Sequence, residues 1–303
     1  MESPEKIPVL KPKDLDDFHH FNIDWKPAAI SETKHQFYHI NRLEDYISYL
    51  QLPYPPHRKT IHDFIYITKG SSKRSKGLSR YNFGEAELFF LPAHQITEHE
   101  SMSLDVEGYF CHFDEVIFSF LPKNYLSDTY SFFQLQSNPI INIREESQSY
   151  LKIILERLLF LYEDEKERNI TLIAKYLLVF FEELKKELPA EPKKSKDTSF
   201  QVTELYKNAL AKHIYQIQSV PEYAQILNIS ANYLNKCVKK CVNKTSQDLL
   251  NEMLILEAKT LLKYSNLQIA EIAIKLCDQT PSNFTRFFKS QTGITPKEYL
   301  ELY

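Results

Sequence analysis

Glycine is scarce in this chain, with five residues in 303. Loops that cradle phosphate need several glycines close together. None of the patterns G-x-G-x-x-G, G-K-[ST] or G-x-S-x-G occurs, which excludes the nucleotide-binding and hydrolase chemistries they carry. Cysteine is almost as rare. Four residues with no C-x-x-C pair do not make a disulfide framework. No apolar run approaches the ~20 residues that cross a bilayer. The opening stretch MESPEKIPVLKPKD lacks the apolar centre of a signal peptide, so the expected location is the cytoplasm. No nucleophile and base stand at an assignable spacing, and the chain is expected not to be an enzyme.

What is present is a large apolar fraction, 43% of the residues, enough for two domains each with its own core. The net charge of −3 conceals an asymmetry. Residues 1–188 carry 22 Lys and Arg against 29 Asp and Glu, whereas residues 199–303 carry 12 against 9. An acidic front and a mildly basic tail suit a polyanionic partner for the tail.

Three regions differ in pattern. In residues 20–120, the stretches IHDFIYITKG, YNFGEAELFFLPA and LDVEGYFCHFD are short, rich in aromatic and β-branched residues, and bounded by turn formers. They predict a small β-sandwich or barrel. LEDYISYLQLP, which precedes them, fits a strand or a helix equally. Residues 149–188 carry two helical stripes, Leu151, Ile154, Leu155, Leu158 and Tyr162, then Ile173, Tyr176, Leu177, Phe180, Phe181 and Leu184. These pack on the preceding domain or form a subunit interface, and the two roles are compatible. PAEPKKSKDTS, rich in Pro, Lys and Ser, reads as a linker. The expected division is therefore 1–145, a helical element at 146–188, a linker at 189–198 and a helical domain at 199–303.

The tail contains a repeat. Tyr223, Ala224 and Leu227 match Ile272, Ala273 and Leu276 at an offset of 49. Leu234, Val238, Asn243 and Thr245 match Phe284, Phe288, Gly293 and Thr295 at an offset of 50. Each copy reads as a short helix, a tight turn and a second helix, with the extra residue in the turn. Helix starts are marked by Ser219 with Glu222 as a capping box, by Thr280 with Pro281, and by Thr295 with Pro296 and Glu298. Asn243 and Gly293 are expected to end helices in the left-handed conformation. In each second helix the i, i+4 pair points to the core. Asn232, Asn235, Lys236 and Lys239 face outward in one copy, and Ser282, Asn283, Thr285, Arg286 and Lys289 in the other. Asn suits adenine, Arg and Lys suit guanine, and Ser and Thr suit base edges or phosphate. A helix over about 247–263 would hold the two reading helices on the order of 34 Å apart, one turn of DNA.

The segments NISANYLNKCVKKCVNKTSQDLL, ILEAKTLL, IAEIAIKL and PSNFTRFFKSQTGITPKEYL resemble the DNA-binding domain of AraC-type transcription regulators, over about 100 residues. The front domain, around PPHRKTIHDFIYITKG and ELFFLPAHQI, resembles that family's cupin-like sensor domain. The resemblance implies an α+β chain. It would join an N-terminal cupin-like β-barrel with a helical, dimerising extension to an all-α C-terminal domain with two helix-turn-helix units. It places base reading on Asn232, Asn235 and Lys236, then on Ser282, Asn283 and Arg286. Lys239, Lys240, Thr285 and Lys289 would hold phosphate. The partners it implies are double-stranded DNA, a small-molecule effector, RNA polymerase and a second copy of the chain. The chain departs from the family where Cys277-Asp278 replaces a Gly-Phe, where Val238 replaces a Phe, and where Asn243 replaces a Gly.

Cupin enzymes hold metal through clustered His and Glu. His57, His62, His94, His99 and His112 do not show that spacing, and no metal or other cofactor is expected. Cys237 and Cys241 are read as small core residues. His57, Arg58, Tyr66 and Tyr81 are the proposed lining of a ligand pocket in the β-domain. The rival readings are a metal-dependent cupin enzyme with a helical appendage, and an interaction module whose second DNA-reading unit has decayed.

Overall fold

The computed structural model describes residues 9–10, 37–50, 52–122, 124–134, 137–163, 169–189, 198–265 and 267–301. The described residues fall into two compact units, 9–189 and 198–301. Most of the linker expected at 189–198 lies outside the described residues.

Among its described residues the N-terminal unit holds ten strands: β1 (Val9–Leu10), β2 (Tyr38–Arg42), β3 (Tyr54–Lys59), β4 (His62–Lys69), β5 (Ser71–Lys76), β6 (Ser79–Gly84), β7 (Glu87–Leu91), β8 (Ile96–Met102), β9 (Glu107–Phe113) and β10 (Ile140–Asn142). They form two five-stranded sheets, in the orders β1-β3-β8-β5-β6 and β10-β7-β4-β9-β2. LEDYISYLQLP becomes neither a full strand nor an α-helix; it makes a short 3-10 turn at Ile47–Tyr49. Gly108 has φ +145° and lies against the Tyr66 carbonyl oxygen, which a Cβ there would meet at 2.1 Å. Only glycine fits that close approach.

Strand alternation divides β4 into two faces. Phe64 and Tyr66 join Leu88, Phe90, Cys111 and Phe113 in a core shared with helices; Ile65 and Ile67 join Phe83, Phe89 and Phe110 in a second core between the sheets. The α-helices among its described residues are α1 (Tyr125–Thr129), α2 (Glu145–Glu163) and α3 (Ile170–Glu187). The stripe residues Leu151, Leu155, Leu158, Ile173, Leu177, Phe180 and Phe181 are all buried, and Phe180 stacks on Phe64 with ring centroids 4.9 Å apart. The stripes therefore serve packing onto the sheet. At ~25 cal/mol per Å² such aromatic and aliphatic burial is the main stabilising term here.

The C-terminal unit is helical: α4 (Thr198–His213), α5 (Val220–Ile226), α6 (Ala231–Val242), α7 (Ser246–Tyr264), α8 (Ile269–Cys277), α9 (Pro281–Thr292) and α10 (Pro296–Leu300). Asn243 ends α6 at φ 55° and Gly293 ends α9 at φ 85°, both left-handed. Thr295 and Glu298 form a capping box at α10, as do Thr245 and Asp248 at α7. The box expected at Ser219 and Glu222 is not formed. The Ser219 hydroxyl donates to the Glu222 carboxylate, so neither side chain caps a backbone N–H.

Candidate nucleic-acid interface

Each candidate reading helix is built by a cap, an apolar anchor and a left-handed exit. On α6 the Ser230 hydroxyl accepts from the Tyr233 N–H at 3.1 Å, and Leu234 and Val238 are fully buried. On α9 Thr280 accepts from the Asn283 N–H at 3.4 Å, Pro281 opens the helix, and Phe284 and Phe288 are fully buried. Phe288 packs edge-on to Tyr299 of α10 at 5.8 Å. In the first unit Tyr206 of α4 and Tyr223 of α5 are also fully buried, with ring centroids 5.6 Å apart.

The extra residue implied by the offset change from 49 to 50 falls not in the turn but at the end of α8, as Cys277: residues 227–230 separate α5 from α6, and 278–280 separate α8 from α9. After α5, the Ile229 N–H closes on the Ala224 carbonyl; after α8, the Gln279 N–H closes on the Ala273 carbonyl. Asn228 and Asp278 are the left-handed residues, at φ 55° and 45°. Helix α8 thus runs through Cys277 and leaves on Asp278. Asp and Asn adopt this conformation more readily than other non-glycine residues.

The predicted DNA-facing side chains divide into groups. Asn232, Lys236, Lys239 and Lys240 on α6 are exposed, as are Ser282, Asn283, Arg286 and Lys289 on α9. Asn235 is half-buried and its Oδ1 accepts from the Ser246 N–H at 3.1 Å, which ties α6 to the start of α7. Thr285 is half-buried and its hydroxyl donates to the Pro281 carbonyl at 2.8 Å. The Arg286 guanidinium donates to Asn283 Oδ1 at 2.5 Å. Sequence reasoning missed the Ser246 anchor. Its carbonyl accepts from the Tyr206 hydroxyl at 2.9 Å while its N–H is held by Asn235, so both backbone groups are fixed. No spacing rule links residues 206, 235 and 246.

The four proposed pocket residues do not come together. Tyr66 belongs to the core shared with the helices, on the face of β4 that points away from the other sheet. Arg58 follows His57 on β3 and so takes the opposite face, where its guanidinium donates to the His94 carbonyl. Tyr81 does pack between the sheets, edge-on to Phe89 at 5.9 Å.

Between the sheets lies a charged cluster that the pocket proposal did not include. Asp63, fully buried, accepts two bonds from the Arg74 guanidinium at 2.6 and 3.0 Å and one from Lys59 Nζ at 2.9 Å. Burial alone would raise the Asp63 carboxyl, but Arg74 and then Lys59 outweigh it and hold it well below the usual carboxylate range. Lys59 lies over the Phe110 ring at 5.2 Å and Arg74 over Phe89 at 5.4 Å. His99 is buried with Nε2 2.8 Å from the Ser72 hydroxyl; burial, then Arg74 and Lys59, push its pKa down to about 3. The sequence signal was Asp63 itself, whose period-2 position in IHDFIYIT puts it on the face of Ile65 and Ile67.

Two other histidines are held by hydrogen bonds on both ring nitrogens. His62 accepts from the Ala93 N–H through Nδ1 and donates to Glu115 through Nε2 at 2.9 Å. His39 donates to Asn41 Oδ1 at 2.9 Å and accepts from the Tyr162 hydroxyl at 2.6 Å. Among the described residues no group of three His, Cys, Asp or Glu could hold a metal ion, and no helix is long and apolar enough to cross a membrane.

Residues 223–301 match the family model described as a helix-turn-helix domain. The chain is 21% identical over 250 residues to the HTH-type transcriptional regulator YisR of Bacillus subtilis (strain 168), covering 80% of this chain and 86% of that one. It is similar to the C-terminal domain of AraT, a response regulator from Geobacillus stearothermophilus. The identity is 26%, over 34% of this chain and 85% of that one, with a TM-score of 0.32. It is also similar to ToxT from Vibrio cholerae, at 15% identity over 88% of this chain and 98% of that one, with a TM-score of 0.38.

Proposed function

We propose that this chain is a DNA-binding transcription regulator of the AraC type, that α6 and α9 are its two reading helices and that each enters a major groove; the match to a helix-turn-helix domain and the similarity to an HTH-type transcriptional regulator support this reading. The observation that carries this reading is the pair of capped, core-anchored helices whose outer faces share small polar and basic residues. Asn232, Lys236, Ser282, Asn283 and Arg286 reach base edges; Lys239, Lys240 and Lys289 meet phosphates. Asn235 and Thr285 act from the second rank, the one fixing the α6–α7 junction and the other the first turns of α9. The test is recovery of genomic DNA fragments bound by the purified full chain. Enrichment of a shared sequence motif is expected, and fragments without a common motif would count against base reading.

The second part of the proposal is control by a small molecule held between the two sheets. Support comes from the buried polar groups there: Asp63, Arg74, Lys59, His99 and Ser72 supply donors and an acceptor inside an otherwise apolar core. His57 and Tyr81 stay in this lining, and Tyr66 and Arg58 leave it. The ligand would shift the population between two arrangements with different DNA occupancy. A small molecule that binds only the folded state raises its melting temperature, so a thermal-shift screen of the full chain identifies it. A hit whose effect survives substitution of His99 and Ser72 would place the site elsewhere.

A further inference from the structure

The bond between Arg286 and Asn283 changes what α9 can read. An Asn reads adenine with both ends of its amide, Oδ1 accepting from N6–H and Nδ2 donating to N7. On α9 the accepting end is already engaged, because one lone pair of Asn283 Oδ1 takes an N–H of Arg286 at 2.5 Å and turns the amide towards the guanidinium. The two residues lie three apart, on neighbouring positions of one helix face. The Asn283 backbone is itself fixed, since its N–H is capped by Thr280 in the first turn opened by Pro281. What the couple offers outward is mainly donors, the remaining guanidinium N–H groups and Asn283 Nδ2, beside one remaining lone pair of Oδ1. Guanine presents two acceptors in the major groove, O6 and N7. Adenine presents one acceptor beside an N6–H donor, which opposes a second donor.

We infer that Asn283 and Arg286 form one guanine-reading unit, in which Arg286 is the reader and Asn283 the positioning residue. The guanidinium is a planar fork, and a fixed hydrogen bond at one edge orients it for bidentate recognition. Asn235 is excluded from adenine reading for a parallel reason, its Oδ1 being held by Ser246. Asn232 is then the Asn left to read adenine. The inference rests on α9 entering the groove, as proposed above.

The experiment is binding-site selection from randomised duplex DNA with the full chain and its Asn283→Ala, Asn283→Asp, Arg286→Ala and Lys236→Ala variants. The wild type is expected to select one invariant guanine that Arg286→Ala abolishes, with affinity for that site falling about tenfold or more. Asn283→Ala should lower the preference for guanine over adenine at the same position. Asn283→Asp, which still accepts from Arg286, should restore the preference even where overall affinity changes. If Asn283→Ala instead erases an adenine position and leaves the guanine intact, Asn283 reads adenine itself and the inference is overturned. If both α9 positions can be changed without altering the selected sequence while Lys236→Ala alters it, α9 reads no base and the inference falls together with the placement of α9.

Discussion

His99 and Asp63 show how much a single buried position can set. In the folded chain His99 stays neutral down to about pH 3, whereas in the unfolded chain it protonates near its ordinary value of 6.5. Between these values the unfolded chain holds a proton that the folded chain refuses. The contribution of His99 to stability is therefore complete above 6.5 and is lost progressively as pH falls towards 3. At pH 5 the loss from this one group is about 2 kcal/mol. The urea midpoint of the wild type should fall between pH 7 and 5 by more than that of His99→Gln, and parallel declines would refute the assignment. The role of the residue was not legible in the sequence. His99 was one of five histidines weighed for metal, and nothing local announces that Arg74 and Lys59, 25 and 40 positions earlier, share its interior. Asp63 was more nearly legible, because a lone carboxylate on the inward face of a strand needs a cationic partner.

At the scale of elements, the caps and anchors of α6 and α9 follow from local rules. Thr280, Pro281, Phe284, Phe288 and Gly293 take the places that propensity and period 3.6 assign to them. Two features needed tertiary context. Ser219 and Glu222 have the spacing of a capping box, yet their side chains bond to each other. Asp278 looked like a lost core aromatic, and its position instead demands a left-handed backbone. A residue other than glycine gives up roughly 1–2 kcal/mol there, less for Asp. Asp278 is exposed, so no packing is lost on its removal. Asp278→Gly is expected to raise the stability of the C-terminal unit by about 0.5–1 kcal/mol. Thermal unfolding followed by circular dichroism measures it, and a lowered midpoint would show that the Asp side chain stabilises the turn.

For the whole molecule, the two-part organisation was readable from composition and periodicity; of the two roles the stripes at 149–188 allowed, packing on the preceding domain or a subunit interface, the buried cluster shows the first. The opposite face of α2 was not considered. Tyr150, Ile153 and Phe160 form an exposed stripe there, with Ile153 66% exposed. We propose that this stripe meets its counterpart in a second copy of the chain, consistent with a homodimer. Ile153→Glu should convert a dimer to monomers in sedimentation equilibrium; an unchanged mass would assign the stripe another role. DNA binding offers a second molecular test. Removing Lys239 and Lys289 together should weaken binding to all sequences alike and lower the slope of log affinity against log salt by about 2. A change confined to particular sequences would mean that these lysines read bases.

The left-handed residue follows Leu276 by two positions but Leu227 by one, and the second proposed reading helix carries Ser, Asn and Arg where the first carries Asn, Tyr and Lys. A chain built from two equal halves would accept two copies of one word in the DNA, and the order of the copies would be immaterial. This chain has unequal halves in a fixed order, so one copy of it specifies a sentence with a direction. A site turned end for end is then a different instruction, and promoters under its control should carry their sites in one orientation.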